Sequence, residues 1–511
     1  MTKNFKGYSL VEKRDLPDIR SVGYLYKHDK TGAEVLYLEN EDDNKAFNIA
    51  FRTPPYNDNG IAHIIEHSVL NGSKKYPSKE PFVELLKGSL NTFLNAMTYS
   101  DKTVYPVSSR NQKDFNNLMS VYLDAVFYPN FKHDPQILMQ EGWHYHLENA
   151  DDELIYKGVV YNEMRGAFSQ ADSELYRLFE PTLFPDTVYK HISGGMPAAI
   201  PSLTQEEFVA FHDKYYHPSN ARVTLYGNLD LETAFAQLTE YFDAFEAKEY
   251  AFESVEQAPF EARHELEAPF SISKDEPTVN KSLLAYIWAA GKGTNSEELI
   301  ALGVLDELLL GSNTAPIKKA LLKSGLGSDV SGGFGAATYS PIFEIVLKDT
   351  NPEAKDQFVS IIENELKRLV AEGIPQKAIQ AALNKAAFRY KELTALEGAT
   401  PKGILYSLNS LTSWLYGGDV FATFEYQRVL DKMQEEMANG YFERLIQTTL
   451  LDNTHAAVIT LAPEPGLGDR KDEALKEELA AYKASLSDEE VAALVEQTQQ
   501  LLERQTTPDK E

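Results

Sequence analysis

The sequence has no cysteine in 511 residues. Disulfide scaffolds, thiol nucleophiles, iron–sulfur clusters and cysteine-ligated zinc are thereby excluded. Any metal has to be held by histidine and carboxylate side chains. No apolar run reaches the roughly 18 residues that a membrane-spanning helix needs, so no membrane partner is expected. The N-terminal stretch MTKNFKGYSLVEKRDL lacks both an apolar leader core and the Arg/Ser-rich pattern of a transit peptide. A cytoplasmic location is therefore expected. Positive charge is scarce: 49 Lys and Arg stand against 77 Asp and Glu, a net charge of −28. That balance argues against nucleic acid as a partner. It is compatible with basic peptides, and equally with nothing more than solubility. What remains is an ordinary globular composition in a chain too long for one core.

Alternation and β-branched residues around a Lys-Thr-Gly turn predict strands within 23–52. A helix is expected from Gly60 to Leu70 and another over 79–90, with Pro81 at its start. One strand over roughly 93–107 follows, then helices over 112–128 and 158–170. Thr204 and Glu207 read as a capping box for a helix running to about Tyr215, and ARVTLYGNLD closes this unit as a strand. The mixture implies an α+β fold with a mostly antiparallel sheet covered by helices.

A second unit begins near residue 260 and repeats the first. HIIEHSVLNGSKKYPSKEPFVELLKGSLNTF (63–93) and LGVLDELLLGSNTAPIKKALLKSGLGSDV (302–330) both read as an apolar helix ending in Gly-Ser, a loop and a second helix. Ala-x-Thr-Tyr-Ser then recurs at 96–100 and 336–340. Aligning the Gly-Ser pairs sets Leu302, Leu305 and Asp306 opposite His63, Glu66 and His67, so the second copy lacks the polar cluster. PEPGLG (463–468) reads as a linker. Two amphipathic helices follow, one with Leu475, Leu479 and Tyr482, the other opened by a Ser487/Glu490 capping box and carrying Val491, Leu494, Val495 and Leu501. The expected architecture is two homologous α/β sandwich domains, 1–258 and 259–465, plus a C-terminal helical hairpin over 466–511. The hairpin's apolar stripe is expected to be exposed, as in a connector parted from its partner.

His63-Ile64-Ile65-Glu66-His67 places two imidazoles one turn apart on a helix face, where both can reach one ion. Glu66 lies beside them without being forced into the metal shell. Two imidazoles and a carboxylate around zinc leave a fourth position for water. The ion acidifies that water and polarises a carbonyl, and a neighbouring carboxylate carries the proton to the leaving amine. The bland alternative is two surface histidines with a glutamate between them. The apolar flanks Ile61, Ile64, Ile65, Val69 and Leu70 argue against it, because buried imidazoles need partners. Glu163, in GVVYNEMRG, is a carboxylate on an apolar helix that a zinc ion would suit. On the residues alone, pairing with Arg165 or solvation is the better reading. His144 and His146 form an H-x-H that could bind metal, but hydrogen-bonded structure is preferred. His191, His212 and His217 read as packing and turn chemistry. Gly194-Gly195 precedes no Lys-Ser/Thr and is no phosphate loop.

HIIEH, NAMTYSDKTVYPV, GVVYNEM and HISGGMPAAIPSLTQEEFVAFHDKYYHPSN together resemble the pitrilysin/insulinase-type inverted-motif (inverzincin) metallopeptidases. The stretch EHSVLNGSKKYPSKEPFVELLKGSLNTFLNAMTYSDKTVYPVSS is especially similar to the presequence protease subfamily. The resemblance covers nearly the whole chain. It implies one zinc per chain, held by His63, His67 and Glu163, with Glu66 as general base. It also implies an edge strand that pairs with the substrate backbone, which puts Phe93, Leu94, Asn95, Ala96 and Met97 in substrate binding. Met97 departs from the aromatic usual at its place.

The implied activity is that of a zinc metalloendopeptidase degrading short unfolded peptides. Relatives of this type hold four homologous domains in two halves joined by a helical hairpin. The distal Arg and Tyr that their second half contributes are not found here. The chain is therefore expected to need a C-terminal half of the same protein, or a homologous chain, for full activity. It is a piece cut at the hinge, a natural half, or a weak peptidase by itself. The rival is a non-catalytic peptide-binding or scaffold half of the same fold. The intact set His63, Glu66, His67 and Glu163 argues for the enzyme. A structural zinc site would instead leave activity insensitive to Glu66→Gln.

Overall fold

The computed structural model describes residues 4–395 and 400–507. The parts of the expected first domain and hairpin that fall on residues 1–3 and 508–511 lie outside the described residues. In chain order the first strands are β1 (Tyr8–Leu16), β2 (Ser21–His28), β3 (Glu34–Glu39), β4 (Lys45–Arg52), β5 (Asn91–Leu94), β6 (Met97–Thr98) and β7 (Lys102–Ser109). A small pair, β8 (His144–His146) and β9 (Ile155–Lys157), and then β10 (Ala221–Tyr226) follow. The later strands are β11 (His264–Ile272), β12 (Ser282–Ala289), β13 (Asp329–Gly335), β14 (Ile342–Thr350) and β15 (Ala456–Pro465).

The first sheet runs β1-β2-β3-β10-β4-β7-β5, with β6 also on β7; the second runs β11-β15-β12-β14-β13. Their strand senses match. β10 lies parallel to β3 and antiparallel to β4, as β15 lies parallel to β11 and antiparallel to β12. Two further antiparallel steps complete each sheet, through β7 and β5 or through β14 and β13. Helices Ile61–Val69 and Pro81–Gly88 connect β4 to β5, and helices Ser296–Leu310 and Pro316–Ser324 connect β12 to β13. The same motif therefore occurs twice, with β1 and β2 as an addition to the first copy. β1 is a strand that the sequence reading did not anticipate.

Each sheet is covered by helices, and the two units share one core. β4 and β7 are buried along almost their whole length. One face of the first sheet meets its own helices, among them Gln112–Phe127, which Asn111 caps through the Asp114 amide. The other face meets the Lys402–Trp414 helix of the second unit. Asn48 Nδ2 donates to Ser407 Oγ at 2.7 Å inside this seam, and Leu36, Leu38 and Ala50 join one apolar cluster with Leu302, Leu305 and Trp414. Burial of both faces is what a doubly covered sheet requires.

Three expectations are corrected. The single strand expected over 93–107 is three strands: a turn closed by Tyr99 N donating to Lys102 O separates β6 from β7, and the break between β5 and β6 lies opposite Pro106. Asn95 N donates to Pro106 O, so the missing Pro106 N–H would face the same neighbour. The edge breaks there: Leu94 still pairs with Val107, but pairing resumes only at Met97 with Val104. PEPGLG is not a linker, since β15 stays in register with β11 as far as Pro465. β12 pairs only as far as Leu461, so Pro463 and Pro465 sit where β15 has a single neighbour and no donor is missed. Finally, the hairpin Leu467–Ala484 and Asp488–Thr506 covers most of its stripe, while Tyr482 stays 39% exposed. Leu479 is buried with Leu147 and Leu154, and Leu475, Val491, Leu494 and Val495 pack around them. The Tyr482 ring stacks on Tyr145 at 4.8 Å, and Leu147 N donates to Thr498 Oγ1. Among the described residues no helix is long and apolar enough to cross a membrane.

Candidate metal centre

The Ile61–Val69 helix starts from Gly60, whose backbone is left-handed (φ 71°). Gly195 (φ 94°) packs against it so closely that a Cβ there would lie 2.8 Å from the Gly60 Cα. Only glycine satisfies both the dihedral and the approach. The contact brings the 192–195 turn against the first turn of the helix. Ile61, Ile64, Ile65 and Val69 point into the core of the first unit, so the helix is anchored by its apolar face. The i, i+3, i+4 spacing then turns His63, Glu66 and His67 together towards a cleft.

Each imidazole has one nitrogen tied and one free for a ligand. His63 Nδ1 lies 3.0 Å from Gly194 O, and His67 Nδ1 lies 3.4 Å from a buried Glu141 oxygen. An acceptor on Nδ1 sets the tautomer whose Nε2 lone pair is available. Both Nε2 atoms face one Glu163 oxygen, at 3.8 Å from His63 and 3.7 Å from His67. Donors about 2.0–2.2 Å from a tetrahedral zinc lie about 3.4 Å apart, so these edges need only a few tenths of an ångström of contraction. His63, His67 and Glu163 are the one group of His and carboxylate ligands among the described residues that could hold an ion.

Of the two settings the residues alone favoured for Glu163, solvation is the one found. Its helix, Val159–Ala167, buries Val160 and Tyr161, while the Glu163 side chain is 52% exposed towards the cleft. Arg165 is not its partner, because the Arg165 guanidinium pairs with Asp472 of the hairpin at 2.9 Å. Glu66 is buried, and its Oε2 accepts a hydrogen bond from Thr98 Oγ1 at 3.0 Å. Burial pushes the Glu66 carboxyl above its ordinary range, while His67, His63 and Thr98 pull the other way. For His67 burial favours the neutral ring, but the Glu141 hydrogen bond and the charges of Glu66, Glu141 and Glu163 outweigh it and raise its pKa.

The cleft is about 450 Å³ and is lined by this cluster, by Asn95 and Ala96 of the broken edge, and by Phe82 and Val83 across from them. Phe93 and Met97 instead pack on the core shared by the units, and Leu94 packs on the core of the first unit. Asn95 O accepts from Tyr122 and its side chain caps the Ala96 amide, which holds the break rigid. A second cavity of about 410 Å³ lies between the units, beyond Met164, with Ser100, Glu180 and Glu344 in its wall. Sequence reasoning missed Glu141, Thr98 and the Gly194 carbonyl. Thr98 lies in the recurring Ala-x-Thr-Tyr-Ser and Gly194 in a stretch that carries the resemblance, but nothing local to either, or to Glu141, marks it as a partner of the cluster. His144 and His146 bond to Met139 O, to each other and to Glu148. His212 bonds Val126 O, and His217 caps the Ser219 amide.

Family models match three parts of the chain. Insulinase (Peptidase family M16) matches residues 52–169, and Peptidase M16 inactive domain matches 202–386. The segment associated with subfamily C of the same peptidases matches 461–511. Protein HypA of Clostridium perfringens is 46% identical over 507 residues, 99% of this chain and 52% of that protein. Presequence protease 1, chloroplastic/mitochondrial, of Arabidopsis thaliana is 41% identical over 511 residues, 98% of this chain and 47% of that protein. The chain thus spans about half the length of the curated relatives it matches. In fold it is similar to a protease from Helicobacter pylori (TM-score 0.67, 17% identity, 85% of this chain and 98% of that one). It is also similar to pitrilysin (TM-score 0.61, 17% identity, 90% of this chain and 47% of that one). By its sequence, through the three matched family models and its curated relatives, the chain belongs to the insulinase-type M16 peptidase family.

Proposed function

We propose that this chain is the zinc-binding half of a metalloendopeptidase that degrades short unfolded peptides. One observation carries the reading: two imidazoles with their Nδ1 atoms occupied turn both Nε2 atoms towards the same Glu163 oxygen. His63, His67 and Glu163 would hold the ion. When bound, zinc supplies Lewis acidity towards a peptide carbonyl and lowers the pKa of water.

The chain's own groups do the rest. Glu66, beside the ligands and raised by burial, takes a proton from the attacking water and returns it to the leaving amine. Thr98 holds the Glu66 carboxylate in place. Glu141 and Gly194 orient the two imidazoles. The broken edge carries no strand on its outer side among the described residues, and Phe93 to Met97 would offer it to an extended peptide. Asn95 and Ala96 would face the scissile region, whereas Phe93, Leu94 and Met97 would support the edge from behind. The presequence-protease relatives are about twice as long, and a C-terminal half or a homologous chain would complete the chamber. We assign the units to 1–258, 259–465 and 466–511.

Metal analysis tests the reading. About one zinc per chain is expected, and neither His67→Ala nor Glu163→Ala should retain it. Glu66→Gln should keep the zinc and lose about 10²-fold or more of any cleavage of an unstructured peptide. Zinc-free protein under metal-replete conditions would give precedence to a non-catalytic peptide-binding half.

A further inference from the structure

A third cavity, polar and of about 270 Å³, lies away from the cleft and shares no lining residue with it. Its wall carries Arg52, Arg222 and Lys248 and no carboxylate, in a chain whose net charge is −28. Arg52 ends β4 and Arg222 lies on the adjacent β10, so neighbouring strands present two guanidinium groups to one space. Leu415 contributes from the second unit, and Tyr250 and Phe252 from the segment joining the units.

Both arginines are held in place, and Arg52 has no counter-charge among the described residues. The Arg52 guanidinium carbon lies 4.3 Å from the Phe252 ring centre and 5.3 Å from that of Tyr416, so aromatic faces fix its plane. Among the described residues it has no ion pair, and its buried Nε has no hydrogen-bond partner. Arg222 faces Glu34 at 3.1 Å, but that carboxylate also accepts from Trp414 Nε1 at 2.6 Å. Of the two adjacent guanidinium groups, Arg222 is thus paired with a carboxylate and Arg52 is not. Burial lowers the Arg222 pKa, Glu34 raises it and Arg52 lowers it again. Lys248 lines the cavity as well, with its exposed ammonium resting on the carbonyls of Asp213 and Lys214. Buried donors without partners call for an acceptor, and planar guanidinium forks match the oxygens of an oxyanion.

We propose that Arg52, Arg222 and Lys248 form a binding site for a phosphate group at the seam between the two units, independent of the metal centre. A phosphate presents three acceptor oxygens and close to two negative charges, which suits two forks and an ammonium better than a carboxylate does. Tyr250 and Phe252 can cover an apolar substituent, so the ligand is either free phosphate or a phosphomonoester.

Calorimetric titration of the whole chain with inorganic phosphate, in chloride buffer at neutral pH, tests the site. Saturable binding of one phosphate is expected. Arg52→Met should weaken it about tenfold or more, the loss of a charge-assisted hydrogen-bond pair. Lys248→Gln should weaken it several-fold with an unchanged melting temperature, which separates lost binding from lost folding. Zinc content should be the same in both variants. Tighter binding of phenyl phosphate assigns a phosphomonoester, and equal affinity assigns free phosphate. No saturable heat with either probe, or affinity unchanged in both variants, would overturn the proposal.

Discussion

The Ile61–Val69 and Ser296–Leu310 helices occupy equivalent places in two sheets that share a five-strand order, yet among the described residues only the first presents side chains that could hold an ion. The second buries Leu302 and Leu305 completely. Helices Gln376–Ala395 and Tyr426–Glu436 pack over it, so the face that is a cleft in the first copy is core in the second. Its polar residues serve differently. Glu307 pairs with Lys385 and Arg389, and burial lifts the Asp306 carboxyl to about 6. In the first copy the corresponding face meets Glu141, Glu163 and open space. The same backbone frame therefore yields a site or a core according to what lies on top of the helix.

Exchanging polarity between the two helices should break the comparison most visibly. Leu305→Glu buries a carboxylate with no partner and should cost about 4 kcal/mol in denaturant unfolding. Glu66→Leu removes a carboxylate that burial already penalises, and should leave stability unchanged or raise it. Equal losses in both variants would mean that the helices are not differently covered.

A smaller effect tests the support of the site. Glu141→Gln should leave the fold intact and weaken zinc about 10–100-fold in a chelator competition, because His67 loses its anionic partner. Undiminished affinity would show that Glu141 does not orient the ring.

The smallest effect concerns the cavity between the units. Burial raises Glu180 to about 7 from an ordinary 4.5, against the hydrogen bond from Ser100. The folded chain then binds more protons than the unfolded chain between those values, so stability is full below about 4.5 and falls as pH rises through about 7. Glu180→Gln carries no titrating group. Its stability relative to the parent should rise by on the order of 1–2 kcal/mol between pH 5 and pH 8. A flat difference would show that Glu180 is solvated.

Much of this could be read from the sequence because it is local. His63, Glu66 and His67 share a face by helix periodicity, and Ile61, Ile64 and Ile65 anchor that helix. The Thr204 and Ser487 capping boxes are present as read. The repeat was visible in the Gly-Ser and Thr-Tyr-Ser pairs. Glu163 was ambiguous by composition and was singled out only by resemblance, because its relation to His67 spans the chain from one helix to another.

The sequence by itself determined the faces of the main helices and the chemistry available without cysteine, since periodicity and side-chain type act within a few residues. Tertiary structure alone decided that Glu141 and the Gly194 carbonyl tie the imidazoles. It also decided that Arg165 turns to Asp472 and leaves Glu163 free, and that the hairpin stripe lies against Leu147 and Leu154. Each of these is a contact between distant segments, set by the shape the whole core takes.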